Sequence, residues 1–285
     1  LQYICKLWDL HDHLHGAIVN QMNVNINGLN INYIDEGTGP LLVMLHGWGS
    51  NIDLFAGVIN FAKKGYHVVA MDMPGFGKSD EPKEPMGVED FMNFVIDFVK
   101  TLYPDDKEII FLGHSMGGRI IIKLASGINE GKLSPGFTIP KIILTDSAGV
   151  IPVKTKAQQK KSRRYKFYKN LITKSGLLKL DPKALDKLQK KFGSADYAAA
   201  SPVMRKSLVM AVNEDMVPYM PSVTQPVLLI WGDKDTATPL SDGQKMEELM
   251  PEAGLAVIEG AGHYSFIDNL YVYNKILGSF LGLKN

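Results

Sequence analysis

The feature that most constrains this chain is the stretch Ile109-Ile110-Phe111-Leu112-Gly113-His114-Ser115-Met116-Gly117-Gly118-Arg119-Ile120. An apolar run ends in Gly-x-Ser-x-Gly-Gly, and a second apolar run, Ile120 to Ala125, follows at once. The first run has the length and glycine boundary of a buried strand; the second is longer, carries Leu and Ala, and reads as a helix. Between them the chain must reverse within about three residues, which excludes side chains at Gly113 and Gly117 and strains Ser115. Such a turn lifts the serine hydroxyl above the sheet, at the positive N-terminus of the following helix. A serine so placed is a candidate nucleophile. The competing reading is an incidental serine in a glycine-rich turn.

The segments around this turn alternate between strand and helix. Met22, Val24 and Ile26 alternate with asparagines, Asn27-Gly28 reads as a hairpin turn, and Ile31 and Tyr33 resume the alternation. Leu41 to Leu45 is apolar throughout, hence a central strand, and runs into His46-Gly47-Trp48-Gly49-Ser50. A helix is expected from about Asn51 to Lys64, and a strand from His67 to Asp72 that continues into Met73-Pro74-Gly75-Phe76-Gly77-Lys78-Ser79. Apolar positions from Val88 to Leu102 form a helical stripe. Further strands are expected at Ile139–Leu144, Val227–Trp231 and Leu255–Ile258, with helices from about Pro239 to Met250 and Leu270 to Leu281. This rhythm implies βαβ units and a mainly parallel sheet covered by helices on both faces, an α/β fold.

The rhythm breaks at about Ile151. From Ile151 to Gly193 the chain carries 14 Lys or Arg against 2 Asp, with helical spacing and no strand signal. The expected organisation is a core formed by residues 1–150 and 222–285, with 1–20 as an N-terminal extension, and a helical cap inserted at 151–221. A lysine-rich face of this kind is first a solvated one. Attraction to an anionic substrate or a membrane surface is the alternative.

The 285 residues are enough for one large domain with a sizeable core. A formal charge of +1 gives no overall pull toward nucleic acid, and no apolar run is long enough to span a membrane. Asp9 and Asp12 interrupt the N-terminus, which does not read as a secretory signal; the lone Cys5 fits a reducing, cytoplasmic setting. His11, His13 and His15 alternate, but no other cluster completes a metal site, so neither metal nor cofactor is expected.

A serine nucleophile needs a base, and the base needs a third group to fix its tautomer. His11, His13 and His15 precede the sheet, His46 and His114 stand directly before glycine turns, and His67 opens its strand, the wrong end for ligand chemistry. That leaves His263, in the small-residue loop after the last strand. For the acid, Asp235, Asp146 and Asp233 all follow strand ends, and Asp233, close behind its strand, reads as a turn brace. An oxyanion needs two preorganised N–H donors. Met116 at the helix start and Trp48 in the second glycine-rich loop are the candidates.

With these residues in view, the chain from about Met22 to Leu281 resembles the α/β-hydrolase superfamily. Gly113-x-Ser115-x-Gly117 looks like its nucleophile elbow, the order Ser115, Asp235, His263 matches its triad order, and Asp72-x-Pro74-Gly75-x-Gly77-x-Ser79 looks like a loop seen widely in it. The elbow is similar to those of both carboxylesterases and carbon–carbon hydrolases of ring-cleavage products. His46-Gly47-Trp48-Gly49-Ser50 looks more like the esterase group, and differs from the loops of lipases and proline iminopeptidases. Serine at 115 argues against haloalkane dehalogenases and epoxide hydrolases, which attack with a carboxylate.

The resemblance implies a serine hydrolase acting on a small or medium carboxylic ester, with carbon–carbon, lactone or thioester cleavage, or a ligand-binding receptor, as alternatives. Trp48, Met116, Tyr197, Met210, Met216 and Tyr219 are the expected pocket residues. Arg119 and Arg205 are the only arginines placed to clamp an anionic product. The expected partner is a small-molecule ester, not nucleic acid; the oligomeric state is left open.

Overall fold

The computed structural model describes residues 20–151, 156–175, 181, 183–192 and 195–283. Its frame is an eight-stranded sheet: β1 (Gln21–Ile26), β2 (Leu29–Glu36), β3 (Leu41–Leu45), β4 (His67–Met71), β5 (Ile109–His114), β6 (Ile142–Thr145), β7 (Val227–Gly232) and β8 (Ala253–Ile258). The spatial order is β1-β2-β4-β3-β5-β6-β7-β8. β1 pairs with β2, and β2 with β4, in antiparallel fashion; every other pairing is parallel. The hairpin between β1 and β2 turns on Asn27 and Gly28, both at positive φ (51° and 83°), the geometry that an Asn-Gly pair favours.

The five residues of β3 are all buried, and they alternate between two cores. Leu41, Val43 and Leu45 face one side with α2 (Val88–Leu102) and α3 (Met116–Asn129); Leu42 and Met44 face α1 (Ala56–Ala62) and α10 (Leu270–Leu281) on the other. A strand covered on both faces needs apolar residues at successive positions, which is why this one shows no alternation in sequence. From β3 the chain crosses to β4 on one side, then to β5 on the other. The strand order therefore reverses at the C-terminal ends of β3 and β5, where open α/β sheets leave a crevice for ligand.

Several expected boundaries shift. The β6 strand begins at Ile142 rather than Ile139, because Pro140 has no N–H for a ladder. Ile139 is still buried in the core. The expected Asn51–Lys64 helix divides into a 3₁₀ turn, Ile52–Phe55, capped by the Asn51 side chain, and α1. β8 starts two residues early, at Ala253, and a short helix α9 (Ser265–Asp268), unforeseen in sequence, follows His263. The helix expected from Pro239 is α8 (Leu240–Leu249).

Between β6 and β7 lie α4 (Lys156–Lys174), α5 (Ala184–Phe192), α6 (Ala195–Ala199) and α7 (Pro202–Asn213), then a 3₁₀ segment, Val217–Ser222. The described part of 151–221 contains no strand. These helices touch the body through specific contacts. Ser201 donates to Glu81 at 2.8 Å, and the Ser207 hydroxyl accepts the Met86 N–H at 2.9 Å. Residues 1–19, with His11, His13, His15 and Cys5, lie outside the described residues.

Candidate active site

Ser115 sits where β5 hands over to α3, with φ 50° and ψ −109°. A non-glycine residue there is strained and persists only because its surroundings fix it. Its N–H donates to the Thr145 carbonyl at 3.2 Å, and its carbonyl accepts from Gly118 (3.1 Å) and Ala148 (3.0 Å). A side chain at Gly117 would collide with the Leu45 carbonyl, so the glycine lets α3 start directly against β3. The elbow is thus pinned from β3 and β6 together.

His263 follows β8. Its Nδ1–H donates to Asp235 Oδ2 at 2.7 Å, and Thr238 Oγ1 lies 3.2 Å from the same nitrogen. Asp235 is buried and satisfied: Oδ1 accepts the N–H groups of Ala237 (2.7 Å) and Thr238 (3.1 Å), while Oδ2 lies 2.7 Å from the Thr238 hydroxyl. Burial alone would raise its pKa. The His263 hydrogen bond and charge, with the Thr238 contacts, bring it below the ordinary carboxylate value. With Nδ1 committed to Asp235, His263 Nε2 makes no hydrogen bond among the described residues.

Asp146 occupies a different place. Its carboxylate is fully buried beneath the site, accepting from Gly232 N–H (2.8 Å) and from the N–H (3.0 Å) and hydroxyl (2.6 Å) of Ser265. Burial pushes the carboxyl up to about 6 despite these bonds. It ties β6, β7 and the turn after His263 together, and its hydrogen bonds do not include the imidazole. Asp233 Oδ1 accepts the Gly260 N–H at 2.6 Å, across the turn leaving β8.

Two histidines passed over in sequence turn out to support the site. His46 donates from Nδ1 to the Gly47 carbonyl (2.7 Å) and accepts the Met73 N–H at Nε2 (3.0 Å), which fixes one neutral tautomer. Burial lowers its pKa accordingly. It joins the Gly47–Ser50 loop to the Asp72–Ser79 loop. The latter is organised by Asp72, whose carboxylate accepts from Ile52 N–H, Lys78 N–H and Asn32 Nδ2, each at 2.8 Å. His114 donates from Nε2 to the His263 carbonyl at 2.8 Å, while its buried Nδ1 has no partner among the described residues. Burial, then the neighbouring His263, hold its pKa well below the usual imidazole value, so it stays neutral. Thr238 was also missed; its signal was the Asp235-x-x-Thr238 spacing, which suits a local side-chain turn.

Met116 is the first residue of α3, so its N–H has no intrahelical acceptor. The Trp48 N–H makes no hydrogen bond among the described residues. The two loops touch, because a Cβ on Gly47 would lie 2.7 Å from His114 Nδ1 and 3.0 Å from Ser115 Cβ. The Trp48 ring stands edge-on to Phe76 at 4.8 Å, whereas the Met116 side chain is buried in the core.

The expected pocket residues from 151–221 are scattered. Met216 is fully buried in the core, and Met210 is 45% exposed with its methyl group against Gly87. Tyr219 is half-buried beneath the Lys123 ammonium, and Tyr197 lies under the Arg205 guanidinium, 5.6 Å from its ring centre. Arg119 and Arg205 are both engaged by main-chain carbonyls, of Glu214 in one case and of Tyr197 and Ala198 in the other. Among the described residues no group of three or more His, Cys, Asp and Glu could hold a metal, and no helix is long and apolar enough to cross a membrane.

The chain is similar over most of its length to hydrolases of different bond preference. It is 26% identical over 92% of its length to a 2-hydroxy-6-oxo-6-(2'-aminophenyl)hexa-2,4-dienoic acid hydrolase of Metapseudomonas resinovorans, covering 90% of that protein. It is also 26% identical over 86% of its length to a pimeloyl-[acyl-carrier protein] methyl ester esterase of Aliivibrio fischeri, covering 95% of it. Among solved structures, that of a membrane phospholipase A, a bacterial virulence factor, superposes with a TM-score of 0.71 at 22% identity, covering 99% of this chain and 91% of that one. The model of the alpha/beta hydrolase family matches residues 42–272, which contain the elbow, both glycine-rich loops, Asp235 and His263, and the chain belongs to that family.

Proposed function

We propose that this protein is a serine hydrolase of small or medium carboxylic esters, a carboxylesterase (EC 3.1.1). The observation that supports this best is the pairing of a strained Ser115 elbow with a His263 imidazole whose Nδ1 is held by Asp235 at 2.7 Å. Ser115 Oγ attacks the ester carbonyl while His263 Nε2 takes its proton, and Asp235 stabilises the resulting imidazolium. The Trp48 and Met116 N–H groups receive the oxyanion. His263 then returns the proton to the leaving alcohol, and water, deprotonated by the same imidazole, releases the acid. The helices of 151–221 act as a cap. Asp196 of α6 lies near Gly49, and Met204 of α7 packs on Gly75, so two cap helices meet the two glycine-rich loops.

A second reading, carbon–carbon hydrolysis of an anionic ring-cleavage product, is favoured by the Metapseudomonas relative. Against it stands the use of Arg119 and Arg205 by main-chain carbonyls. A panel of nitrophenyl esters of rising acyl length separates the two. The ester reading expects turnover of short and medium acyl chains with a steep fall beyond a length set by the cap. Absence of ester turnover with cleavage of a vinylogous 1,5-diketone acid would replace it.

A further inference from the structure

The α4 helix carries eight Lys or Arg and no Asp or Glu over Lys156–Lys174. Lys160, Arg163, Arg164, Phe167, Leu171 and Lys174 follow the spacing i, i+3, i+4, i+7, i+11, i+14, so they share one face of the helix. All six are exposed, Phe167 by 65% and Leu171 by 55%. Tyr165 and Ile172, on the opposite side, are half-buried, and the helix packs against α5. The outward face is therefore an apolar pair ringed by cations. Interior packing gives no reason for it, since a solvated face has no need of Phe167 and Leu171.

The charge of the whole chain points the same way. Residues 151–193 hold 14 basic and 2 acidic residues, leaving 17 basic and 28 acidic residues in the rest. A nearly neutral protein is thus strongly polar, positive at the cap and negative in the body. We infer that the α4 face docks on an anionic lipid bilayer, with its cations in the headgroup layer and Phe167 and Leu171 in the apolar layer beneath. A second copy of the chain would bring two such basic helices together. A nucleic acid would take the cations but offers no apolar layer to Leu171. A bilayer supplies both layers in the right order, and the acidic body is repelled from it, so that the cap faces the surface. Docking of this kind holds whichever bond the Ser115 site cleaves.

Sedimentation of the purified protein with vesicles of phosphatidylcholine alone, or of equal parts phosphatidylcholine and phosphatidylglycerol, tests this. Binding is expected only to the anionic vesicles. Most of it should be lost between about 0.1 M and about 1 M salt, as the Debye length falls from about 10 Å to about 3 Å. Each cation near such a surface accounts for about fivefold in partitioning, so Arg163→Glu with Arg164→Glu should weaken binding by at least about twentyfold. Phe167→Ser with Leu171→Ser should weaken it while leaving the salt dependence in place. The gentler pair Lys160→Gln and Lys174→Gln should act in the same direction, and unchanged circular dichroism and melting would show that each variant is folded. Equal binding to both vesicle types, no binding, or binding indifferent to the charge reversals in folded protein would overturn the inference. So would a dimer, seen by analytical ultracentrifugation, that these substitutions dissociate.

Discussion

The imidazole of His114 donates its Nε2–H to the main-chain carbonyl of His263, 2.8 Å away and 149 residues distant in sequence. The residue before the elbow serine thus holds the residue proposed as its base. The two rings lie 4.8 Å apart, and His114 also packs on Tyr264 and Phe266. The loop bearing His263 is therefore registered to the elbow by a direct bond and by ring packing.

Loss of that bond should loosen the base without touching the substrate. His114→Ala is expected to lower kcat on an accepted ester by about 10- to 100-fold, since misplacement of a catalytic group by about 1 Å costs that order, with KM little changed. His114→Gln, which retains a donor, should recover part of the loss. A proportional rise in KM at constant kcat would assign His114 to substrate contact instead.

Gly47 is where the loop leaving β3 passes the elbow. Gly47→Ala puts a methyl group 2.7 Å from His114 Nδ1 and 3.0 Å from Ser115 Cβ. Overpacking of that kind costs about 1–3 kcal/mol. Thermal unfolding should show the loss, and kcat should fall with it, because the strained atoms adjoin Ser115. Alanine at Gly254, with open space around it, is the control.

The two buried carboxylates should separate by their behaviour. Asp235→Asn is expected to cost about 10²–10⁴ in kcat through the wrong imidazole tautomer, and Asp146→Asn much less. Asp146 should instead show in stability against pH. Its carboxyl titrates at 3.8 unfolded and at about 6 folded. Between those values the folded state binds the proton more tightly, so rising pH removes stability, up to about 3 kcal/mol by the time both states are ionised. The stability of Asp146→Asn relative to the native protein should therefore rise from pH 4 to pH 7. A flat difference would place the Asp146 titration elsewhere.

How much of this was legible in sequence follows from the range of the interactions. β3, β5 and β7 are continuous apolar runs bounded by glycine-rich turns, and those local signals place the sheet and the loops at its C-terminal edge. Ser115 and His263 lie on such loops and stand out by position, whereas Asp235 shares its position at a strand end with Asp146 and Asp233 and is favoured only through the triad order of the family it resembles. The roles of His46 and His114 could not be read, because their partners are main-chain groups of distant loops, and a main-chain acceptor leaves no residue-type signature. Pro140 misled the boundary of β6 because Ile139 beside it is buried without joining the ladder. Apolar character is the signal for the pocket residues expected from 151–221, but it suits the core equally, where Met216 lies.

If Ser115 is the nucleophile, it alone should take up a covalent serine reagent. A serine-reactive phosphonate should add to the native protein at one site, mapped by mass spectrometry to the peptide containing Ser115. Ser115→Ala should abolish that labelling and lower kcat on nitrophenyl esters by roughly 10³ or more, with melting nearly unchanged. Labelling retained at full extent in Ser115→Ala would show that another residue is the nucleophile.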